Sequence, residues 1–281
     1  MLKDMIVHLD GTPEDETRLS HAESVAEARG VRITGLFTNP LPEYVMASGM
    51  DPAFSSIAGV AQLQERLHEE GDVICERLKT RLARIGLPSE VRKIEAGPGD
   101  LPRLCASEAR SADLFLATGG WPNEAGLDWS NLVETIIFEA GRAVYLAPPG
   151  RKAARGVRNA LVAWRDTRES ARAIAEALPL LIRAERTRIV TIDPKREGED
   201  CAARATDIAA HLDRHGAKVE ISAVDTNGGT VAGVLLDEAR RMDADLVVMG
   251  AYGHSRFREW ILGGVTRDMI AKSDRPLLLA H

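Results

Sequence analysis

The chain repeats itself at half length, and a repeat of that kind constrains the architecture before any single residue is weighed. MIVHLDG at 5–11 is matched by ALVAWRD at 160–166, SADLFLATGG at 111–120 by DADLVVMGAY at 243–252, and RAVYLAPPG at 142–150 by RPLLLAH at 275–281. Each half reads as strand and helix in alternation, with segment lengths suited to βαβ units. In the first half strands are expected near 4–10, 31–37, 90–95, 113–118 and 143–147, and helices near 14–29, 58–85, 100–110 and 128–140. The second half gives strands near 158–164, 187–192, 218–224, 245–249 and 276–280, and helices near 168–184, 199–215, 230–241 and 264–273. The expected fold is therefore α/β, with two doubly wound parallel sheets and domains at 1–149 and 157–281. APPGRKAARG at 147–156, rich in Pro, Gly and basic residues, is the natural linker. NPLPEYVMASGMDPAFSS at 39–56 has almost no counterpart in the second half; it reads either as a lid or as an ordinary surface loop with apolar anchors.

The segment from 244 to 281 carries the strongest functional signal. Leu246, Val247, Val248 and Met249 are apolar on every side, as in a parallel strand covered on both faces, and Gly250 ends the run. Gly253 follows after two residues, then Gly263 and Gly264 after nine more. Glycines let main-chain N–H groups approach an anion with no Cβ in the way. The apolar residues from Val265 to Ile270 recur at helical spacing, which places Gly263, Gly264, Val265 and Thr266 at a helix start, where free N–H groups and the positive dipole end favour a phosphate.

Charge supports this placement. The formal net charge of −6 argues against general nucleic-acid binding, but it is unevenly spread. Residues 1–150 hold 14 Lys/Arg against 23 Asp/Glu, whereas residues 151–281 hold 22 against 19, so the glycine loop lies in the basic half. A 44% hydrophobic, 28% charged chain of 281 residues suits globular domains with real cores. No stretch is as long and apolar as a membrane span, and the acidic start lacks the pattern of a signal peptide, which points to a cytoplasmic protein with no membrane partner. Cys75, Cys105 and Cys201 are scattered and without CxxC spacing, as expected of reduced packing residues.

These residues resemble the universal stress protein family, in the form of two copies of its domain in tandem. The family's nucleotide pattern is Gly, two residues, Gly, nine residues, Gly and then Ser or Thr. It is met by Gly250, Gly253 and Gly263, with Gly264 at the Ser/Thr position and Thr266 as a substitute hydroxyl. The resemblance implies a five-stranded parallel sheet of order 3-2-1-4-5 in each half, akin to adenine-nucleotide alpha hydrolases. It also implies ATP or a related adenine nucleotide, with or without Mg, at the carboxyl ends of strands one and four. The family's Asp-Gly-Ser/Thr turn after strand one is kept as Asp10, Gly11 and Thr12. In the second half it becomes Arg165, Asp166 and Thr167, with Ala163 beside it at the strand tip. Conversely, the first half has Thr118, Gly119, Gly120, Trp121 and Ser130, Asn131 where the second has its glycines. Phosphate contacts dominate nucleotide binding, so the second half is the expected site, and the first a degenerate copy. The apolar final strands AVYLA and PLLLA imply pairing of the two halves as a pseudo-dimer, and association of two chains as a homodimer.

Other chemistry finds little support. Neither half has G-x-G-x-x-G after its first strand or G-x-x-x-x-G-K-[ST]. His211 and His215 share a helix face without the adjacent Glu of a zinc protease, and read as surface residues. Ser255 and Cys105 have no evident base partner, which leans against an enzyme. His254, Arg256, Arg258, Trp164 and Trp260 are each open to a ligand role or an ordinary one. Asp113 and Asp245, just ahead of the fourth strands, are expected to bond nearby backbone. Two functions stay open: a stress-response protein with a regulatory adenine nucleotide, and an interaction or scaffold module of the same family that binds none.

Overall fold

The computed structural model describes residues 2–26, 30–42, 57–119, 129–153, 156–193, 201–253 and 264–281. In chain order the elements are β1 (Asp4–Leu9), α1 (Glu14–Val25), β2 (Arg32–Pro40), α2 (Ile57–Ala83), β3 (Ser89–Ala96), α3 (Leu101–Ala109), β4 (Leu114–Thr118), α4 (Ser130–Thr135) and β5 (Ala143–Ala147). α4 runs on into a π-helical turn over Ile136–Ala140, ended by Gly141 at φ 65°. The second series is β6 (Asn159–Ala163), α5 (Arg168–Leu181), β7 (Arg186–Ile192), α6 (Cys201–Arg214), β8 (Val219–Val224), α7 (Val231–Arg241), β9 (Leu246–Gly250), α8 (Gly264–Lys272) and β10 (Leu277–Ala280). Residues 43–56, the bulk of the insertion, lie outside the described residues, as do Gly120, Trp121, His254, Ser255, Arg256, Arg258, Trp260 and Gly263.

The strands form one ten-stranded sheet of order β3-β2-β1-β4-β5-β10-β9-β6-β7-β8. Each half keeps the order 3-2-1-4-5 and is parallel throughout; the halves join edge to edge where β5 and β10 pair antiparallel, Leu146 opposite Leu277 and Val144 opposite Leu279. The central strands are buried on both faces, which is why β1, β4, β5, β9 and β10 read as nearly unbroken apolar runs. Side chains alternate between two cores. Met5, Val7 and Leu9 join Tyr145, Leu278 and Val162 on one face. Ile6, Phe115, Val144, Leu146, Leu277 and Leu279 lie on the other. The antiparallel joint thus keeps both cores continuous across the sheet. β3 and β8, at the outer edges, are only part-buried and carry charged side chains, which discourages further strand pairing.

The repeat extends to single hydrogen bonds. Asp113 Oδ2 accepts from the N–H groups of Lys3 and Asp4 at 2.7 and 3.0 Å, and Asp245 Oδ2 accepts from those of Arg158 and Asn159 at 3.0 and 2.9 Å. Each acid therefore ties the start of its half's first strand to the strand next to it.

Candidate functional site

A cavity of about 620 Å³ opens at the carboxyl ends of β6, β7 and β9, in the second half. Ala163, Arg165, Gly250, Gly253, Gly264, Val265 and Thr266, all expected from sequence, line it together. Val190, Ile192, Val231, Leu235 and Met249 add apolar wall, and Trp164, Thr167, Glu169, Ser170, Asp193 and Tyr252 complete it. The first residues of α5 and α8 both face this space, so two helix N-termini bring their partial positive charge to it. α5 starts where it does because Thr167 is extended and its hydroxyl caps the Ser170 N–H at 3.3 Å.

The cavity is explained by comparing the halves position by position. Val7 opposite Leu116 corresponds to Val162 opposite Val248, so His8 corresponds to Ala163, Arg18 to Ala173 and Thr118 to Gly250. In the first half those larger side chains fill the equivalent space. Arg18, almost wholly buried, donates from Nη1 to Asp10 Oδ1 at 2.9 Å and Asp15 Oδ1 at 2.8 Å. It also donates from Nη2 to Asp10 Oδ2 at 3.0 Å and from Nε to Thr118 Oγ1 at 2.7 Å. Trp129 Nε1 donates to Asp10 Oδ2 at 2.8 Å, and the Thr12 hydroxyl to Asp10 Oδ1 at 2.6 Å. The His8 and Trp129 rings meet edge-on at 4.7 Å. Asp10, the acid that the first half retains, is thus consumed by the protein itself.

This buried cluster perturbs its own protonation. Despite burial, Arg18 holds the Asp10 carboxyl well below the usual carboxylate range. Asp15 shares the same guanidinium; burial, assisted by the Asp10 charge, lifts it to about 7 against the pull of Arg18. Burial, with Arg18 nearby, lowers His8 to about 3, so its ring is neutral.

The second-half glycines do not all play the part their spacing suggests. A Cβ on Gly250 would sit 2.6 Å from Ser170 N and 2.7 Å from Glu169 C, so this glycine lets the first turn of α5 pack on the tip of β9. The Ala251 amide donates to Ala280 O at 2.8 Å and the Tyr252 amide to Thr266 Oγ1 at 3.2 Å. Those two amides are not bare donors, and the buried Thr266 hydroxyl is engaged in holding the loop rather than replacing a phosphate ligand. Gly253 faces a carboxylate: its Cβ position lies 3.4 Å from Glu169 Oε2. Gly264 has open space around it, with nothing within 4 Å of a Cβ built there. Arg165 is solvent-exposed at the rim.

Glu169, Asp193 and Tyr252 were not evident as site residues from the sequence. Asp193 and Tyr252 have φ of 47° and 55°, and so lie in the left-handed region that non-glycine residues seldom adopt. Tyr252 is held there by its O–H bond to Glu134 Oε1 of α4 at 3.1 Å and by Phe138, 5.0 Å away between ring centroids. Strained backbone at a cavity rim is a common mark of a functional site. Asp193 accepts from the Thr226 N–H and hydroxyl at 2.8 and 2.7 Å. Among the described residues no group of three or more His, Cys, Asp or Glu is arranged to hold a metal ion, and the exposed His211 and His215 only touch rings at 4.7 Å.

Comparison with known proteins follows the same division of the chain. Residues 156–281 match the family model described as Universal stress protein family. The C-terminal region belongs to the universal stress protein family. A universal stress protein from Archaeoglobus fulgidus DSM 4304 matches over 99% of this chain and 95% of its own, at 16% identity and a TM-score of 0.72. A functionally unknown protein from Pseudomonas aeruginosa PAO1 matches over 99% and 92%, at 14% identity and a TM-score of 0.61. At such identities these likenesses show the fold, an α/β fold of the adenine-nucleotide alpha hydrolase type, over the whole chain, consistent with a tandem universal stress protein. No curated protein matches the sequence. No described helix is long and apolar enough to cross a membrane.

Proposed function

We propose that this protein takes part in the stress response by binding ATP or a related adenine nucleotide, as a regulatory ligand, in the cavity of its C-terminal domain, residues 157–281. The observation that carries the reading is the cavity itself. The repeat fills this position with Arg18, His8 and Trp129 in the first half and clears it with Ala173, Ala163 and Gly250 in the second. The cleared space has an apolar wall of Val190, Ile192, Val231, Leu235 and Met249, suited to a flat base, and two helix N-termini suited to phosphate. Its volume falls within the range of small-molecule sites. The described residues offer Glu169 and Asp193 as candidate oxygen ligands for an accompanying Mg, but both oxygens of Asp193 already serve Thr226.

The first domain, 1–149, then serves assembly: β5 and β10 make the two domains a pseudo-dimer, in a cytoplasmic protein able to associate further as a homodimer. Equilibrium dialysis with ATP and adenosine tests the reading, with about one site per chain expected. Gly264→Asp has room for its side chain and places a negative charge at the start of α8. It should keep the melting temperature and weaken ATP by at least about tenfold, a single charge contact at close range. Absence of binding to either ligand would instead favour the interaction module.

A further inference from the structure

Glu169 is a buried anion on the wall of a cavity whose glycine loop suggests phosphate. Its side chain is 6% exposed, its Oε1 accepts from Arg168 Nε at 2.5 Å, and its Oε2 lies against Gly253. Arg168, by contrast, is 80% exposed, so its charge is largely spent in solvent. Although burial works the other way, hydrogen bonds from Arg168, its own backbone N–H and Thr167 keep the Glu169 carboxyl below its ordinary range. The carboxylate is therefore ionised at neutral pH. Among the described lining residues the charged groups are Arg165, Glu169 and Asp193, and the one cation is exposed at the rim.

We infer that Glu169 is a specificity residue that sets the charge of the ligand at the Gly253 side of the cavity. Its carboxylate disfavours a bare polyphosphate and admits adenine ligands with little local negative charge: the nucleoside, the monophosphate, or a triphosphate whose charge is masked by a divalent cation. This inference rests on the adenine-nucleotide reading and narrows it. The physical basis is simple. Two like charges brought together where little water intervenes repel strongly, whereas a helix N-terminus contributes only about half a unit of positive charge. One buried carboxylate can outweigh it. On this view the glycines give the ligand room, and Glu169 decides which ligand uses it.

Calorimetric titration of the full chain with adenosine and ATP, the latter in EDTA and in excess MgCl₂, tests the inference on wild type, Glu169→Gln and Arg168→Gln. Glu169→Gln keeps the shape of the side chain, and its melting temperature checks the fold. Metal-free ATP should bind at least about tenfold tighter to Glu169→Gln than to wild type, with adenosine changed by less than about twofold. Arg168→Gln, which strips the carboxylate of its partner, should move metal-free ATP the other way. In wild type, MgCl₂ should tighten ATP. Adenosine and ATP both binding, with metal-free ATP unchanged or weakened in Glu169→Gln, would overturn the role of Glu169 and leave the nucleotide site standing. No binding of either ligand to any of the three proteins would remove the site and this inference with it.

Discussion

Gly250→Ala separates two reasons a glycine can stand at the end of β9. If the residue is there to open an amide to an anion, an added methyl disturbs ligand binding and little else. In the structure the methyl meets the protein: Ser170 N at 2.6 Å, Glu169 C at 2.7 Å and Glu169 Cβ at 2.9 Å. Two of these are backbone atoms, so no rotamer change relieves the clash; α5 must move or β9 must bend. The start of α5 resists because Thr167 caps it and Ala173, Ile174 and Ala177 anchor its buried face in the core. Overpacking of this kind costs about 1–3 kcal/mol, and a backbone clash belongs near the top of the range. At about 2–4 °C per kcal/mol, the melting temperature should fall by roughly 4–10 °C. Gly264→Ala is the control. It stands in open space at the first residue of α8, so it should be neutral or slightly stabilising, by up to about 1 kcal/mol. Urea denaturation followed by tryptophan fluorescence, with Trp164 buried beside the site, measures both. Wild-type stability in Gly250→Ala, or equal losses in the two variants, would refute the close approach of α5 and β9.

Arg18→Met should cost about 3–5 kcal/mol at neutral pH, because it strands Asp10 and Asp15 as buried carboxylates without their common partner; a loss under about 1 kcal/mol in urea would show that water reaches them. Asp15→Asn should change how stability depends on pH. With Asp15 raised to about 7, the folded chain holds a proton there that the unfolded chain has released above about pH 4, which lowers stability as pH rises through that window. His8, lowered to about 3, acts with the opposite sign up to its unfolded value of 6.5, so the two nearly cancel between about pH 4 and 6.5. Removing the Asp15 proton should steepen the rise of stability with pH by about 1.4 kcal/mol per unit between about pH 4.5 and 6.5. Urea titrations across that range showing an unchanged slope would count against the raised carboxyl. Tyr252→Phe should cost about 1–3 kcal/mol through loss of its O–H bond to Glu134, and a variant as stable as wild type would show that this link between the halves is idle.

The fold was legible because a parallel sheet covered on both faces leaves no room for polar residues, so AVYLA and PLLLA can hardly be anything but interior strands. β3 and β8 were legible too, since SEVRKIEA and VEISAV keep strand-forming residues among their charges. What the spacing of IIFEA could not disclose is the π turn at the end of α4, which looks like continued α-helix in a period count. In the site, glycine spacing brought Gly250, Gly253 and Gly264 to one cavity, yet it assigned Gly250 the wrong reason. The need for glycine there arises from α5, about eighty residues earlier in the chain, and no local pattern reports it. Glu169 was missed because an acid in the first turn of a helix is ordinary, favoured by the dipole wherever it points. Only its burial against Gly253 makes it unusual.

The repeat held more information than the motif did. Aligning the halves by strand register sets His8 against Ala163, Arg18 against Ala173 and Thr118 against Gly250, and each step removes side-chain volume from the second half. Three independent positions shrinking around one point argue for a cavity more directly than glycine spacing, which serves packing and ligand binding alike. The same comparison explains why Asp10 misleads. A retained acid suggests a retained site, but Arg18, nearly buried beneath it, shows that the acid now neutralises a cation in place of meeting a ligand. In a duplicated fold, then, motif residues locate the equivalent point in each copy, and the volume of the side chains around that point decides which copy can hold anything.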